Sequence, residues 1–147
     1  MTERPRGYAL RYDVNATAKQ IWDVLLDPVQ QAIWHPAGIE IDARPGGVFR
    51  MRLDARVERE AHIDVWLPPH RMRLVYMAIP GVGTDDAVLG DDIIIDAAWA
   101  GATRLCILGS GYPARVEWVE FYTQVQTVWR QACGRIKILA EKQAAVK

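Results

Sequence analysis

The three histidines are the first residues to weigh for chemistry, because only this side chain titrates near neutral pH without help from its surroundings. His35 lies in "WHP", at the end of a short amphipathic segment. There it could contact a ligand or transfer a proton. A histidine at the carboxyl end of a helix also interacts favourably with the helix dipole, and this structural role is the interpretation we favour. His62 is predicted to be an exposed strand residue and His70 a turn residue.

The sequence gives little indication of a serine or cysteine nucleophile. Ser110 lies in "LGSGYP", which lacks the G-x-S-x-G order and the following helix of a nucleophile elbow. Cys106 alternates to the outer side of a predicted strand and Cys133 lies in a helical segment, so both are interpreted as small apolar residues. No spacing of His, Asp and Glu resembles a metal site. We therefore expect no metal ion and no organic cofactor, and the sequence assigns no catalytic residue.

The composition is that of an ordinary globular protein, and 147 residues are most simply one domain, 1–147. Lys and Arg together number 18, as do Asp and Glu, so the net charge is zero. That balance argues against electrostatic capture of nucleic acid or of an anionic membrane. No apolar run approaches the ~20 residues of a membrane span, and the first residues lack the pattern of a signal peptide. We expect a cytoplasmic protein.

The elements that must position any site begin with one strand and two short helices. Residues 7–14 form a predicted strand with Tyr8, Leu10 and Tyr12 on one side. Thr17 then begins a helix through a capping box, in which two side chains cover exposed backbone N–H groups. Asp27 and Pro28 begin the second helix as N-cap and first residue.

The middle of the chain is a series of segments in which apolar and polar residues alternate. Period-two patterning over so many segments predicts an antiparallel sheet with one buried face. The residues assigned to that inner, concave face are Phe49, Met51, Leu53, Met72, Leu74, Tyr76, Ile93, Ile95 and Trp99.

The last part of the chain changes to helical spacing over residues 116–142. A helix of some 25 residues is about 38 Å long, which is enough to lie across an entire sheet. The residues assigned to its inner face are Trp118, Tyr122, Val125, Trp129 and Ile136.

This order of elements predicts an α+β fold, in which a curved antiparallel sheet wraps around a long C-terminal helix and two short helices follow the first strand. The segment "ARPGGVFRM" carries adjacent glycines, Gly46 and Gly47. They either bend or bulge a strand toward the helix, since glycine adopts the needed dihedrals at little cost, or form an ordinary turn. The local sequence favours neither interpretation.

With those elements in place, the chain resembles the START/SRPBCC superfamily, the helix-grip proteins related to the birch-pollen allergen. Within it, the chain is most similar to the branch related to the activator of the ninety-kilodalton heat-shock-protein ATPase. The resemblance rests on "TAKQIWDVLLDP", "IWHPAGIEIDARPGGVFRM", "LPPHRM", "TRLCILGSGYP" and the helical segment that contains Trp129. One departure is Gly109, which stands where many relatives have a histidine, so that one polar cavity group is missing.

The resemblance implies a hydrophobic cavity between the curved sheet and the C-terminal helix. Members of the superfamily bind lipids, hormones or polyketide-like molecules, some are cyclases or hydrolases, and some assist a chaperone. The alternative is that the same residues simply fill a packed core. Besides the two faces named above, the predicted cavity includes three residues from other segments, Trp34, His35 and Tyr112.

Three functions follow as hypotheses. The first is binding of a small hydrophobic or aromatic molecule without a cofactor, and the second is a cyclase-like or hydrolase-like enzyme that uses the same cavity. The third is a partner-binding module, such as a chaperone regulator, with a basic outer face formed by Arg50, Arg52, Arg71 and Arg73. A homodimer is compatible with all three. The glycine-rich segment 80–92 is either a lid over the cavity or a solvated loop.

Overall fold

The computed structural model of the protein describes residues 4–77, 88–98 and 101–146. Within these residues the elements are β1 (Arg6–Val14), α1 (Ala18–Leu26), α2 (Pro28–Trp34), β2 (Ile39–Ile41), β3 (Val48–Arg52), β4 (Glu58–Leu67), β5 (Arg71–Tyr76), β6 (Gly90–Ala97), β7 (Thr103–Tyr112), a 3-10 turn (Val116–Trp118) and α3 (Val119–Ala145). This is the order that the sequence predicts.

The strands form one antiparallel sheet in the order β1-β7-β6-β5-β4-β3-β2. Its curved inner face packs against α3, while α1 and α2 pack against each other and against α3. The first strand pairs with the last, so that Tyr8 lies opposite Gly109. The α+β helix-grip fold expected from the sequence is confirmed.

The predicted helix starts are present as hydrogen bonds. The Thr17 hydroxyl accepts from the Gln20 backbone N–H at 3.1 Å, and the Gln20 side chain accepts from the Thr17 N–H at 2.9 Å. A carboxylate oxygen of Asp27 accepts from the Val29 N–H at 3.0 Å, with Pro28 at the first helical position. Each bond satisfies a backbone donor that the helix itself leaves free.

Alternation along the strands places one set of side chains in the interior. The inner residues of β3, β5, β6 and β7 are almost fully enclosed by protein atoms, and the facing side of α3 is equally enclosed. Strand residues exposed by 0–1% include Phe49, Met51, Met72, Leu74, Ile93, Ile95, Leu105 and Ile107. Burial of this apolar surface, at about 25 cal/mol per Å², is the main force that holds α3 to the sheet.

A β-bulge in β7 reverses the alternation near its end. Arg6 and Tyr8 of β1 lie opposite Tyr112 and Gly109, so β7 has one extra residue in this interval. Gly111 takes up that residue with a φ of +80°, a conformation that favours glycine. As a result Gly109 and Tyr112 both face the interior, although simple period-two counting puts them on opposite sides.

The adjacent glycines form the turn between β2 and β3. Gly46 has a φ of +74°, and its N–H donates to the Ile63 carbonyl while Ile63 donates to Gly47. A Cβ on Gly47 would lie 2.0 Å from the carbonyl oxygen of Asp42. The turn interpretation therefore holds, and the turn is also bonded to β4.

In the part of the chain that the structure describes, no helix is both long and apolar enough to cross a membrane. Trp99 and the larger part of the predicted lid segment lie outside the described residues, and residues 90–92 of that segment belong to β6.

Candidate functional site

A buried ion pair lies between the sheet and α3. A guanidinium nitrogen (NH1) of Arg59 lies 3.3 Å from a carboxylate oxygen of Asp91, and both side chains are fully buried. Arg59 precedes Ala61 and Ile63 on the inner side of β4, and Asp91 precedes Ile93 on the inner side of β6. Strand alternation therefore turns both charged groups into the apolar interior.

Four aromatic side chains donate hydrogen bonds to the same carboxylate. Oδ1 of Asp91 accepts from the hydroxyls of Tyr8 at 2.6 Å and Tyr112 at 2.9 Å. Oδ2 accepts from the Tyr76 hydroxyl at 2.8 Å and from Nε1 of Trp129 at 3.1 Å, in addition to the guanidinium. We call these five donor residues and the carboxylate the Asp91 cluster: Tyr8, Arg59, Tyr76, Asp91, Tyr112 and Trp129.

The guanidinium of Arg59 is surrounded by aromatic rings. Its central carbon lies 3.4 Å from the ring centre of Tyr76, 5.2 Å from Phe121 and 5.5 Å from Tyr112, within the range of cation–π attraction. NH2 of Arg59 donates to the Tyr112 hydroxyl at 2.9 Å. The remaining nitrogen, Nε, is buried and has no hydrogen-bond partner among the described residues.

The tyrosines of the cluster remain protonated. Burial, followed by the negative charge of Asp91, raises the pKa values of Tyr8, Tyr76 and Tyr112 above the usual 10. Their hydroxyls therefore act as neutral donors at physiological pH. One positive and one negative charge remain, so the cluster is electrically balanced.

The absence of a side chain at Gly109 leaves space for the ring of Tyr8. In the sheet Gly109 lies between Asp91 on β6 and Tyr8 on β1. A Cβ at this position would lie 2.0 Å from the Tyr8 ring, so the ring occupies the space that a side chain here would take.

Tyr122 connects the cluster to the more exposed end of the interior. Its ring lies 6.2 Å from Tyr8 and 5.6 Å from Tyr112, centre to centre. Its hydroxyl donates to the Gly7 carbonyl. The guanidinium carbon of Arg6 lies 4.3 Å above its outer side. Arg6 and the aromatic rings thus cover the approach to Asp91 from this side.

The predicted cavity residues divide into three groups. Tyr76, Tyr112 and Trp129 belong to the Asp91 cluster, and Tyr122 and Trp118 lie next to it through ring contacts. The remaining strand residues and Val125 are core residues enclosed by their neighbours, and Phe49 stacks on Trp129. The residues of this second group are Phe49, Met51, Leu53, Met72, Leu74, Ile93, Ile95 and Val125.

Trp34 and His35 form the third group and lie where α2 ends. Nε1 of Trp34 donates to the Val24 carbonyl of α1 at 3.1 Å. His35 is the C-cap of α2, and its Nε2 lies 2.7 Å from the Arg52 carbonyl, which can only accept, so Nε2 carries the proton. His35 thus lies at the helix end expected from the sequence, while its ring bonds to β3.

The burial of His35 makes stability depend on pH. Burial lowers its pKa below 6.5, an effect partly offset by the bond to the Arg52 carbonyl. Because the unfolded chain binds the proton more tightly, the contribution of His35 is complete above about pH 6.5 and is lost as the pH falls through the lower folded-state pKa. We expect His35→Gln, which keeps an N–H donor, to lose less stability on acidification than the unsubstituted protein.

Urea denaturation at a series of pH values measures this effect. The matched control is His62→Gln, the same substitution at an exposed position on β4. Equal pH dependence in both variants would contradict the assignment.

Sequence reasoning missed Arg59 and Asp91, and it did not include Tyr8 in the predicted cavity. The signal was present, since continuing the alternation two residues before Ala61 and Ile93 leads to these two charged residues. Both lie in acidic or mixed-charge stretches that look solvent-exposed. Among the described residues, no three His, Cys, Asp or Glu side chains lie close enough to hold a metal ion.

The arginine-rich outer face does not form the predicted basic patch. Arg50 pairs with Glu60 at 2.7 Å and with Glu40 at 3.2 Å. Arg52 pairs with Glu58. Arg71 likewise pairs with a carboxylate, that of Asp92. A shallow groove of about 440 Å³ on this face is lined by both signs of charge. Cross-strand pairing thus neutralises three of the four arginines.

Comparison with known proteins shows the family of this chain. The family described as Activator of Hsp90 ATPase homolog 1-like protein matches residues 15–141. This chain belongs to that family. The match begins just after β1 and ends inside α3, so it includes Arg59, Asp91, Tyr76, Tyr112 and Trp129. Among curated proteins, none matches this sequence.

Solved structures of family-like proteins share the fold at low sequence identity. The Mesorhizobium loti protein MLL2253 has a TM-score of 0.74 at 15% identity, covering 93% of this chain and 98% of its own. The Aha1 protein of Colwellia psychrerythraea, described as a dimer in solution, also has a TM-score of 0.74, at 12% identity and with 92% and 96% covered. DynU16, from the dynemicin biosynthetic locus, has a TM-score of 0.67 at 20% identity, with 96% and 48% covered.

Proposed function

We propose that this member of the family binds a small hydrophobic or aromatic molecule between the sheet and α3, with the Asp91 cluster as the polar end of the site. The observation that carries the proposal is the convergence of five donors on one fully buried carboxylate. A buried ion pair is a poor way to stabilise a fold, because apolar residues of similar volume do so as well or better. Buried, perturbed ionisable groups are typical of binding and catalytic sites.

The ligand would enter by separating side chains at this end of the interior. Two residues in contact with the ion pair keep a slight exposure, Tyr76 at 8% and Phe121 at 6%, whereas Arg59 and Asp91 themselves are fully buried. Farther along, the inner strand residues are enclosed on all sides. Affinity would come from apolar surface removed from water, at about 25 cal/mol per Å², and orientation from the polar cluster.

Thermal unfolding with a panel of apolar aromatic molecules tests the proposal. A ligand present at about 100 times its Kd stabilises the native state by about 2.7 kcal/mol, which raises Tm by about 5 °C or more in a protein of this size. A fluorescent hydrophobic probe should respond to the folded protein and be displaced by the same molecules. Sugars of similar size are the polar control and should leave Tm unchanged. No response to any apolar compound would contradict the proposal.

A second candidate is cyclase-like or hydrolase-like turnover in the same site. Hydroxyl donors can stabilise a developing oxyanion, but the single O–H of Tyr8, Tyr76 and Tyr112 already donates to Asp91. These hydroxyls would serve turnover only by turning from the carboxylate to the substrate. The cluster is less suited to proton abstraction, because both oxygens of Asp91 are already occupied by donors. A turnover assay that loses activity in Tyr76→Phe but not in His62→Gln would support this function.

Partner binding is the third candidate. A chaperone partner has its support in the family to which the chain belongs, while the pairing of the outer arginines with carboxylates removes the charge-based reason for it. A homodimer is a proposal by analogy with the Colwellia protein. Size-exclusion chromatography with light scattering, with and without an acidic partner, would test both.

A further inference from the structure

This inference rests on the proposed function and names the class of molecule that the site selects. We infer that the Asp91 cluster binds uncharged molecules whose polar group is a hydrogen-bond acceptor, such as an aryl ketone, and that Nε of Arg59 donates to that acceptor. The cluster presents one guanidinium nitrogen without any partner in the described part of the chain, a filled carboxylate and balanced charge, and each of these features restricts the ligand.

This guanidinium nitrogen is Nε of Arg59. A guanidinium carries five N–H bonds and no acceptor. NH1 is directed to Asp91 and NH2 to the Tyr112 hydroxyl, whereas Nε is buried and has no partner among residues 4–77, 88–98 and 101–146. A buried donor left without a partner is costly, and natural proteins rarely retain one. A ligand oxygen that accepts from Nε would give this nitrogen a hydrogen-bond partner.

The carboxylate has no capacity left for a ligand that donates. Two donors reach Oδ1 of Asp91 and three reach Oδ2, about the four sites that a carboxylate offers. A hydroxyl or amine brought to this point would compete with Tyr8, Tyr76, Tyr112 and Trp129 for the same oxygens. An acceptor-only group such as a ketone avoids that competition.

Charge balance excludes ionised ligands. The single positive charge of Arg59 is compensated by Asp91 at 3.3 Å, and the surrounding side chains are apolar or neutral. A carboxylate ligand would bring a second negative charge into an interior closed to water, and an ammonium would bring an unpaired positive one. Either charge would be desolvated without a partner.

Three ligands of the same shape test this selection: 2-acetylnaphthalene, its hydrocarbon isostere 2-isopropenylnaphthalene, and 2-naphthoate. Titration into the protein at neutral pH, followed by tryptophan fluorescence or calorimetry, gives the three Kd values. We expect the ketone to bind about tenfold more tightly than the hydrocarbon, a factor that one hydrogen bond from a charged group supports. Naphthoate should bind more weakly than either.

Arg59→Lys is the matched variant, because it keeps the positive charge beside Asp91 but has no N–H at the position of Nε. The ratio of the ketone and hydrocarbon Kd values should fall to about one. Arg104→Lys is the control, since Arg104 pairs with Asp13 in an exposed position on the outer side of β7, and this variant should keep the tenfold ratio.

A second measurement does not depend on any variant folding. In ¹H–¹⁵N spectra of the unsubstituted protein, the Nε–H resonance of Arg59 should move on addition of the ketone but not of the hydrocarbon. Equal affinities for the two, or tightest binding of naphthoate, would overturn the inference and leave the proposed function standing. Failure of all three to bind would overturn both.

Discussion

Asp91→Ala lowers the free energy of unfolding by about 3–5 kcal/mol, the usual cost of removing one partner of a buried ion pair. The alanine leaves the Arg59 charge uncompensated in an interior that excludes water, and it also leaves the hydroxyls of Tyr8, Tyr76 and Tyr112 without their shared acceptor. Chemical denaturation followed by circular dichroism measures the effect.

The next residue supplies the control for this prediction. Asp92 faces outward from the same strand and pairs with Arg71 at 3.1 Å, with 21% of its side chain exposed. Asp92→Ala should cost no more than about 1 kcal/mol, as is usual for surface pairs. Similar small losses in both variants would show that Asp91 is not held as a buried ion.

The double variant Arg59→Leu/Asp91→Leu separates folding from binding. Removing both charges avoids an unpaired one, so we expect it to be more stable than Asp91→Ala alone. If the cluster serves ligand binding, the double variant should fold and yet lose the preference for the ketone.

Gly111→Ala is expected to lower the free energy of unfolding by about 2–5 kcal/mol. Two costs combine: a non-glycine residue in the left-handed region loses about 1–2 kcal/mol, and forcing extra atoms into a packed place costs a further 1–3 kcal/mol. The added Cβ would lie 1.9 Å from the carbonyl oxygen of Val88, a backbone atom that cannot rotate away. Thermal or urea denaturation of the variant measures the loss.

Gly101→Ala separates the conformational cost from the packing cost. Gly101 has the same φ of +80° as Gly111, but its Cβ would meet nothing within 4 Å. Only the conformational cost applies there, so the loss should be about 1–2 kcal/mol. If both variants lost the same free energy of unfolding, the predicted clash between the Gly111 Cβ and the Val88 carbonyl would not contribute to stability. Because the bulge at Gly111 turns Tyr112 inward, its disruption should also weaken ligand binding.

The helices and strands could be predicted from the sequence because they depend on local patterns. The capping box at Thr17, the N-cap at Asp27 and the inward sides of β3 and β5 follow from residue types at fixed spacing. The start of α3 was less well defined, since residues 116–118 form a 3-10 turn before the helix proper. Helix ends often tighten in this way.

The centre of the site was not predicted because it depends on contacts between distant strands. Alternation in "VEREAHIDV" and "GDDIIID" places Arg59 and Asp91 inside, but a charged residue is ordinarily assigned to the surface unless its partner is known. That partner lies two strands away in the sheet. Tyr112 was predicted in the cavity, although the bulge that turns it inward breaks the period-two count of β7.

The pairing of β1 with β7 has a consequence for how the chain reaches its native state. Asp13 of β1 and Arg104 of β7 are 91 residues apart, yet their side chains meet at 3.1 Å. During synthesis at about 5–20 residues per second, β1 must wait several seconds with its backbone donors and acceptors unpaired. Pairing of strands so far apart in sequence slows folding. Until β7 is made, the unpaired β1 is a segment that a chaperone or a neighbouring nascent chain can bind.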